Sequence, residues 1–362
     1  MKIKNKILLI SCLCFIVSFF IGCNTNNSKV EVSGLKDNSN FPIGTAIRIQ
    51  TLSADKDLQK LQTKDFNSIT SASDMKMNRI LKSEGNYYWD RIDSIVDYAE
   101  TNNQRLFGHN LIWHSSTPKW VVEKGEKDSI WMQNFMKEYI HTYVGRYKGK
   151  VDAWDVVNEG METFGGDYRE TMWYKAMGED YIAQAFTYAH EADPEAELFY
   201  NDFNIERDTA KLNGTLKMIY NLKEQGVPIT GLGFQMHIRM DIPDELIASS
   251  LKKAVETGLL IHLSEVDIIF NTHNDSRGGG IQKVTELTEE MKQAQAEKYK
   301  NLVKMYKEIV PKEQQYGITF WDFTDRDTWI RGFFNLKDWP CIYDDNLQPK
   351  PAYYGFLEGL KE

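Results

Sequence analysis

Eight short apolar runs recur along the chain between residues 41 and 323, and longer segments with helical periodicity separate them. In the helical segments apolar residues return every three or four positions, as in Ile92, Ile95, Val96 and Ala99. The strand-like runs cover residues 41–47, 66–71, 106–113, 151–158, 198–201, 231–238, 260–268 and 317–323. Eight strand–helix repeats predict an α/β fold with a single (β/α)8 TIM barrel. An open doubly wound sheet is the alternative, but no Gly-x-Gly-x-x-Gly turn follows an early strand.

The N-terminus has the pattern of a secretion signal. Lys2, Lys4 and Lys6 precede an apolar run at residues 7–21, which is shorter than the ~20 residues that a permanent membrane span needs. The Gly22-Cys23 ending resembles a bacterial lipoprotein signal, in which the cysteine becomes lipid-modified. We therefore predict an exported protein that Cys23 anchors to a bacterial membrane, on the periplasmic side of the outer membrane or at the cell surface. Ordinary cleavage nearby, with Cys23 left free, is the alternative.

Composition divides the rest of the chain into two parts. Residues 23–40 are rich in Asn and Ser and lack aromatic residues, which predicts a flexible tether between the signal at 1–22 and a catalytic domain at 41–362. The formal net charge of −9 argues against binding nucleic acid or anionic membrane surfaces by charge. We expect a monomer that contacts a membrane only through its lipid.

Polar and aromatic side chains end most of the predicted strands, and in a barrel these ends converge on one mouth. They are His109, Trp113, His114, Asn158, Glu159, Asn201, Asp202, Gln235, His237, Glu265, Asp267, Trp321 and Asp322. A carboxylate at the end of an apolar strand, as at Glu159 and Glu265, costs stability unless it is hydrogen-bonded or used. Two carboxyl groups facing each other across a cleft are the machinery of glycoside hydrolysis, either retaining or inverting. Two structural ion pairs are the alternative.

Seven segments, in order and at compatible spacing, resemble glycoside hydrolase family 10, the endo-β-1,4-xylanases, over essentially all of residues 41–360. They read FPIGTAI at 41–47, GHNLIWHSSTPKW at 108–120, WDVVNE at 154–159, YNDFN at 200–204, GFQMHI at 233–238, SEVDI at 264–268 and PKPAY at 349–353. The resemblance implies a retaining hydrolase of xylan, with Glu265 as the nucleophile and Glu159 as the acid and then the base. Retention requires the two carboxyl groups to lie ~5–5.5 Å apart.

The resemblance also implies supporting roles. Asn158 would bond the 2-hydroxyl of the sugar under attack, His237 would hold Glu265 ionised, and Asp267 would orient His237. The implied substrate contacts are Lys76, His109, Trp113, Asn201, Gln235, Trp321 and Trp329. No cofactor is expected, and no catalytic metal, because the other histidines lack metal-ligand spacing with acidic or cysteine partners.

The chain departs from the family pattern mainly at the glycone end of the implied site. Ala72 and Ser73 stand where the family has the Glu-Asn pair that holds the second glycone sugar, and Ser116 stands where it has Gln. Asp322 replaces a glycine and is expected to put a carboxylate in the cleft, and Phe203 replaces an aglycone tyrosine. These changes predict an altered glycone specificity, either for a decorated or different sugar or for aryl and terminal xylosides.

Two other functions stay open at this point. A β-glucan endoglucanase would use the same barrel, and a lipid-anchored glycan-binding protein would not need the catalytic pair. One further expectation concerns His262, which lies three residues before Glu265. Strand alternation predicts that it faces away from the cleft and packs against the helices.

Overall fold

Eight parallel strands close into a barrel in the computed structural model, which describes residues 33–273 and 278–362. The predicted signal at 1–22 and the lipidation site Cys23 lie outside the described residues. The strands are β1 (Ile43–Ile47), β2 (Ser68–Ser71), β3 (Arg105–Gly108), β4 (Ala153–Asn158), β5 (Glu197–Asp202), β6 (Gly231–Phe234), β7 (Leu260–Ile269) and β8 (Gln315–Phe320). Each strand pairs with the next, and β8 pairs with β1, so the ring is complete. The predicted (β/α)8 barrel is confirmed.

Helices surround the barrel and fill the connections between its strands. They are α1 (Ile49–Ala54), α2 (Lys56–Asp65), α3 (Met77–Ile80), α4 (Asp90–Thr101), α5 (Lys119–Gly125), α6 (Ser129–Arg146), α7 (Met172–Met177), α8 (Asp180–Ala192), α9 (Thr209–Glu224), α10 (Asp244–Val255), α11 (Glu289–Ile309), α12 (Trp329–Phe333) and α13 (Pro351–Lys361). Within the described ranges, no helix is both long and apolar enough to cross a bilayer. A short extra strand, His237–Arg239, pairs with the far half of β7 and carries a predicted site residue.

Strand β7 contains a β-bulge that changes which residues face the barrel interior. Leu263 pairs with Ile318 and Val266 with Phe320, so three steps of β7 match two steps of β8. An extra residue in one strand reverses the alternation of side chains beyond it. His262, before the bulge, therefore faces the interior as Glu265 does after it.

The prediction that His262 packs against the helices is consequently wrong. Its ring lies among Phe107, Phe199 and Tyr316 inside the barrel, and its Nε2 is 2.8 Å from Oγ1 of Thr319. Burial lowers the pKa of His262 well below its ordinary value, which keeps the ring neutral in this aromatic layer. The layer closes the barrel beneath the polar mouth.

Strand β4 carries a similar irregularity. Asp155 pairs with Phe199 and Val157 with Tyr200, so Val156 is the extra residue. As a result Asp155 and Asn158 both reach polar groups inside the barrel, although regular alternation would place them on opposite faces. The two bulges thus lie in β4, which ends one residue before Glu159, and in β7, which contains Glu265.

The folded domain includes residues that we assigned to the tether. Leu35 is fully buried, its amide donates to Oδ1 of Asp65 (3.1 Å), and Lys36–Asn38 forms a short 3-10 helix. Asp65 ends α2 and precedes β2, so this contact lies at the N-terminal ends of the strands. The folded domain therefore extends beyond the predicted boundary at residue 41.

Candidate active site

A cleft of about 1060 Å³ opens at the C-terminal ends of the strands. Ten of the predicted site residues line it: Lys76, His109, Trp113, Asn158, Glu159, Gln235, His237, Glu265, Trp321 and Trp329. The other two described ones, Asn201 and Asp267, are fully buried and bond to residues that line the cleft. The structure therefore brings together every predicted site residue that it describes.

Glu265 is surrounded by hydrogen-bond donors and positive charge. Its Oε1 accepts from Nδ2 of Asn201 (2.8 Å), and its Oε2 is 3.3 Å from Nε2 of His237. Burial alone raises the pKa of this carboxyl, but the charges of His109, His237 and Lys76 outweigh it and hold the pKa below its ordinary value. Glu265 is therefore ionised at neutral pH, as a carboxylate nucleophile must be.

Glu159 has the opposite electrostatic environment. Burial raises its pKa, and the negative charge of Asp202 raises it further, although a hydrogen bond from Trp113 and the charge of Arg169 offset part of the effect. Its Oε1 accepts only long hydrogen bonds, from Nδ2 of Asn158 (3.4 Å) and Nε2 of Gln235 (3.3 Å). A carboxyl group with a raised pKa and weak donors can hold a proton and give it up, which is what an acid catalyst requires.

A network of side-chain amides connects the two glutamates. Nδ2 of Asn201 bridges Oε1 of Glu265 and Oδ1 of Asn158 (2.9 Å), and Nε2 of Gln235 reaches both Asn158 (3.3 Å) and Glu159. Ser264 fixes the orientation of Asn201, because its hydroxyl donates to Oδ1 of that amide (2.6 Å). The network sets the distance and orientation of the two carboxyl groups relative to each other.

His109 and His237 are each held by a buried aspartate. Nδ1 of His109 is 2.7 Å from Oδ2 of Asp155, and Nδ1 of His237 is 2.9 Å from Oδ2 of Asp267. Burial raises the pKa of Asp155 to about 6, against the opposing effect of His109. Although burial lowers the pKa of His237, its two carboxylate neighbours raise it to about 10, so His237 is positively charged at neutral pH. Asp267 and Glu265 itself thus maintain a positive charge on His237, beside the nucleophile.

Aromatic rings form the walls of the cleft. Nζ of Lys76 lies 4.7 Å from the ring centroid of Trp113 and 5.6 Å from that of Trp321. Burial lowers the pKa of Lys76, an effect that the two catalytic carboxylates oppose. The indole of Trp329 is 4.8 Å from the ring of His237 and donates to Asp267 (2.8 Å). Such rings suit the flat apolar faces of sugars.

The positions that depart from the family pattern lie in different environments. Ala72 packs in a small cluster with Ala46 and Trp321, and Ser116 is buried with its hydroxyl on the carbonyl of Trp113. Phe203 lines the cleft as expected. Asp322 does not, because its buried carboxylate turns to Arg48. The expectation that Asp322 puts a negative charge in the cleft is therefore wrong.

Four functional residues were not assigned a role from the sequence. Asp155 and Ser264 support His109 and Asn201, and a buried ion pair, Asp202–Lys211 (2.7 Å, both 0% exposed), lies beside Glu159. The only sequence signal for Asp155, Asp202 and Ser264 was that they lie in strands that carry site residues, and Lys211, in α9, had none. The described residues contain no cluster of three or more acidic, histidine or cysteine side chains arranged to hold a metal ion.

Comparison with known proteins identifies the family. The model of "Glycosyl hydrolase family 10" matches residues 34–359. The chain belongs to glycosyl hydrolase family 10. The family resemblance of the sequence is confirmed, and the cleft opens at the face of the barrel where (β/α)8 enzymes carry their active sites.

Relatives of this family 10 chain carry xylanase names. It is 35% identical over 352 residues to endo-1,4-beta-xylanase A of Cellvibrio japonicus, and the alignment covers 91% of this chain and 56% of that protein. It is 34% identical over 348 residues to endo-1,4-beta-xylanase B of Thermotoga neapolitana, and this alignment covers 94% of this chain and 95% of that protein. Xylanase 10C of Cellvibrio japonicus, a mutant in complex with xylopentaose, superimposes with a TM-score of 0.85 at 33% identity, covering 91% of this chain and 69% of that one.

The chain spans only part of some relatives. It covers about half of the first Cellvibrio japonicus protein and 31% of endo-1,4-beta-xylanase C of Paenibacillus barcinonensis. The match to these longer proteins is therefore a match to one region of them.

Proposed function

We propose that this chain is a retaining endo-β-1,4-xylanase that hydrolyses xylan-type glycans by double displacement. The observation that carries the proposal is the pair of buried glutamates in one cleft, Glu159 with a raised pKa and Glu265 with a lowered one. Opposite pKa shifts assign opposite tasks to two carboxyl groups of the same site. The xylanase names of the relatives supply the substrate class.

In the first step Oε of Glu265 attacks the anomeric carbon, and the bond from that carbon to the leaving oxygen breaks. Glu159 gives its proton to the leaving oxygen, so a neutral hydroxyl departs and a covalent glycosyl-enzyme remains. In the second step Glu159, now ionised, removes a proton from water, and the hydroxide attacks the same carbon and releases Glu265. Two inversions give net retention.

The surrounding residues would act on charge that develops during these steps. Asn158, between the two glutamates, is placed to bond the 2-hydroxyl, a contact that strengthens as the sugar becomes oxocarbenium-like. The charged His237 disfavours protonation of Glu265, which keeps the nucleophile available. Lys76 and His109 would bind hydroxyls of the sugar on the glycone side.

The test is hydrolysis of linear xylan and of an aryl β-xylobioside, with the anomeric form of the first product read by NMR. Wild-type protein should release reducing ends, and the first product should be the β-anomer. Glu265→Ala should abolish release without unfolding the protein, and Glu159→Gln should be far less damaging on an aryl leaving group that departs without a proton. A folded wild-type protein that binds xylan but hydrolyses neither xylan nor β-glucan would instead be a glycan-binding protein.

We further propose that the glycone end has an altered specificity. Ala72, Ser73 and Ser116 replace residues that carry longer polar side chains in the family, and the hydroxyl of Ser116 already bonds a backbone carbonyl. Each lost hydrogen bond to a sugar is worth ~0.5–1.5 kcal/mol, so the second glycone subsite would bind an unbranched chain more weakly. Rates on linear xylotetraose, decorated xylan, mixed-linkage β-glucan and an aryl xyloside test this. Equal, ordinary xylanase rates on linear and decorated xylan would contradict it.

We also propose that the mature protein is exported and attached to a bacterial membrane through a lipid on Cys23. The basis is the lysine-rich start, the apolar run and the Gly-Cys sequence. Growth with an alkyne-labelled fatty acid should label the wild-type protein, whereas Cys23→Ala should be unlabelled and leave the membrane fraction. Labelling that persists in Cys23→Ala would show another attachment site.

A further inference from the structure

An ion pair joins the ends of β1 and β8 beside the cleft. Arg48 follows β1 and Asp322 follows β8, and their side chains make two parallel contacts, Nη1–Oδ1 at 2.5 Å and Nη2–Oδ2 at 3.2 Å. Two-pronged contacts of this kind fix the orientation of both groups as well as their distance. Asp322 is 4% exposed and Arg48 34%, so the carboxylate is buried and the guanidinium lies at the solvent edge.

The same pair holds the segment that leads from β8 into α12. Oδ2 of Asp322 also accepts from the backbone N–H of Trp329 (3.2 Å), and Nη1 of Arg48 donates to the carbonyl of Asp327 (3.1 Å). One carboxylate thus fixes the first residue of α12, and its partner fixes the turn before it.

Trp329 continues this chain of contacts to the nucleophile. Its indole Nε1 donates to Oδ2 of Asp267 (2.8 Å), and that oxygen also bonds Nδ1 of His237. Nε2 of His237 is in turn 3.3 Å from Oε2 of Glu265. Since each link fixes the next side chain, a displacement of Trp329 changes the support of the reacting carboxylate.

We infer that Arg48 and Asp322 are positioning residues, which hold Trp329 against Asp267 and thereby fix His237 and Glu265 for reaction. The inference rests on the proposed hydrolase function for its catalytic consequence, but the position of Trp329 can be measured without it. Neither residue lines the cleft, so neither is placed to bind the sugar directly.

The backbone conformation at Asp322 allows its role in positioning Trp329 to be distinguished from a contribution to stability alone. Its φ is +66°, a conformation that glycine adopts freely and that a side chain makes less favourable. Glycine is also the residue that the family usually has there. Asp322→Gly therefore relieves backbone strain while it removes the carboxylate, and a role confined to stability predicts little loss of either stability or activity.

The kinetic test compares Asp322→Gly, Arg48→Met and the double variant with wild type on a linear xylo-oligosaccharide. The matched control is Arg326→Met. Arg326 is 35% exposed, similar to Arg48, and it lies on the segment between β8 and α12, where it pairs with Asp327 and with Asp55 but not with Trp329. Each single variant should lose about 10-fold or more in kcat, with a smaller change in KM. Asp322→Gly should unfold at a near wild-type temperature, whereas Arg48→Met should unfold at a lower one because it leaves the buried carboxylate of Asp322 without its partner. The kcat of the double variant should be no lower than that of the less active single variant, because the two residues act as a unit. The control should match wild type.

The second test reads the indole N–H of Trp329 by NMR in protein labelled with ¹⁵N-tryptophan, with the signal assigned from Trp329→Phe. In Asp322→Gly the signal should shift or broaden as the bond to Asp267 loosens. Wild-type kcat, KM and indole signal in Asp322→Gly, or losses that add in the double variant, would overturn the inference. An inactive wild-type protein would overturn the proposed function alone, and the indole signal would still decide the role of the pair.

Discussion

The buried Asp202–Lys211 pair lies beside the acid catalyst Glu159. Variants of this pair can separate its effect on the stability of the protein from its effect on the pKa of Glu159. Oδ1 of Asp202 is 2.7 Å from Nζ of Lys211, and neither side chain is exposed. In Lys211→Met the carboxylate would keep its hydrogen bonds from the hydroxyl of Tyr200 (2.6 Å) and the amide of Phe203 (2.9 Å) but lose its counter-charge. Breaking a buried pair from one side costs ~3–5 kcal/mol.

This cost converts to a change in melting temperature. An unfolding entropy of ~2.1 cal/mol/K per residue gives ~0.7 kcal/mol/K for a domain of about 330 residues, so we expect a loss of ~4–7 °C. Asp202→Asn/Lys211→Met removes both charges and should recover most of that loss, because a neutral buried pair has no unpaired charge. Thermal unfolding followed by circular dichroism measures both.

The same two variants should differ in their effect on the basic limb of the kcat/KM profile. Asp202 raises the pKa of Glu159, so the double variant should lose protonated Glu159 at lower pH than wild type does, and its basic limb should move down. In Lys211→Met the charge of Asp202 is no longer balanced, so the limb should stay or move up. A Lys211→Met protein as stable as wild type, or a double variant with an unmoved basic limb, would refute the reasoning.

Three further outcomes follow from the structure. His237→Gln removes the positive charge beside Glu265 but can keep a donor, so the pKa of Glu265 should rise and the acid limb of kcat/KM should move to higher pH, as a pH series would measure. Gly231→Ala would place a Cβ 2.2 Å from the ring of Phe199, and urea unfolding should show a loss of at least ~1–3 kcal/mol. Asn201→Ala removes three buried hydrogen bonds and should lower both kcat and stability, the latter by ~2–5 kcal/mol, as paired kinetics and urea unfolding would show.

Hydrophobic patterning was sufficient to predict the barrel and to gather its site. All eight predicted runs overlap a strand, and because parallel strands bring their C-terminal ends to one mouth, residues as distant as His109 and Trp321 were correctly placed together. The assignment of individual roles depended on the family resemblance, because spacing along the chain does not encode which carboxyl group is ionised. That difference comes from neighbours such as His237 and Asp202, which are distant in sequence.

The errors have specific physical causes. Strict alternation misplaced His262 because a bulge in β7 is a matter of pairing with β8, which the sequence of one strand does not reveal. Asp322 was expected in the cleft because its partner, Arg48, lies 274 residues away and shares no local pattern with it. Asp155 escaped notice for a related reason, since the bulge of β4 turns it toward His109.

The burial of Leu35 fixes where the chain enters the barrel, and this has a consequence for how the protein faces its surroundings. The contact of Leu35 with Asp65 lies at the N-terminal ends of the strands, whereas the cleft opens at their C-terminal ends. The described chain therefore enters the barrel on the face opposite the cleft, and an extended polymer can run along the cleft without meeting this entry point.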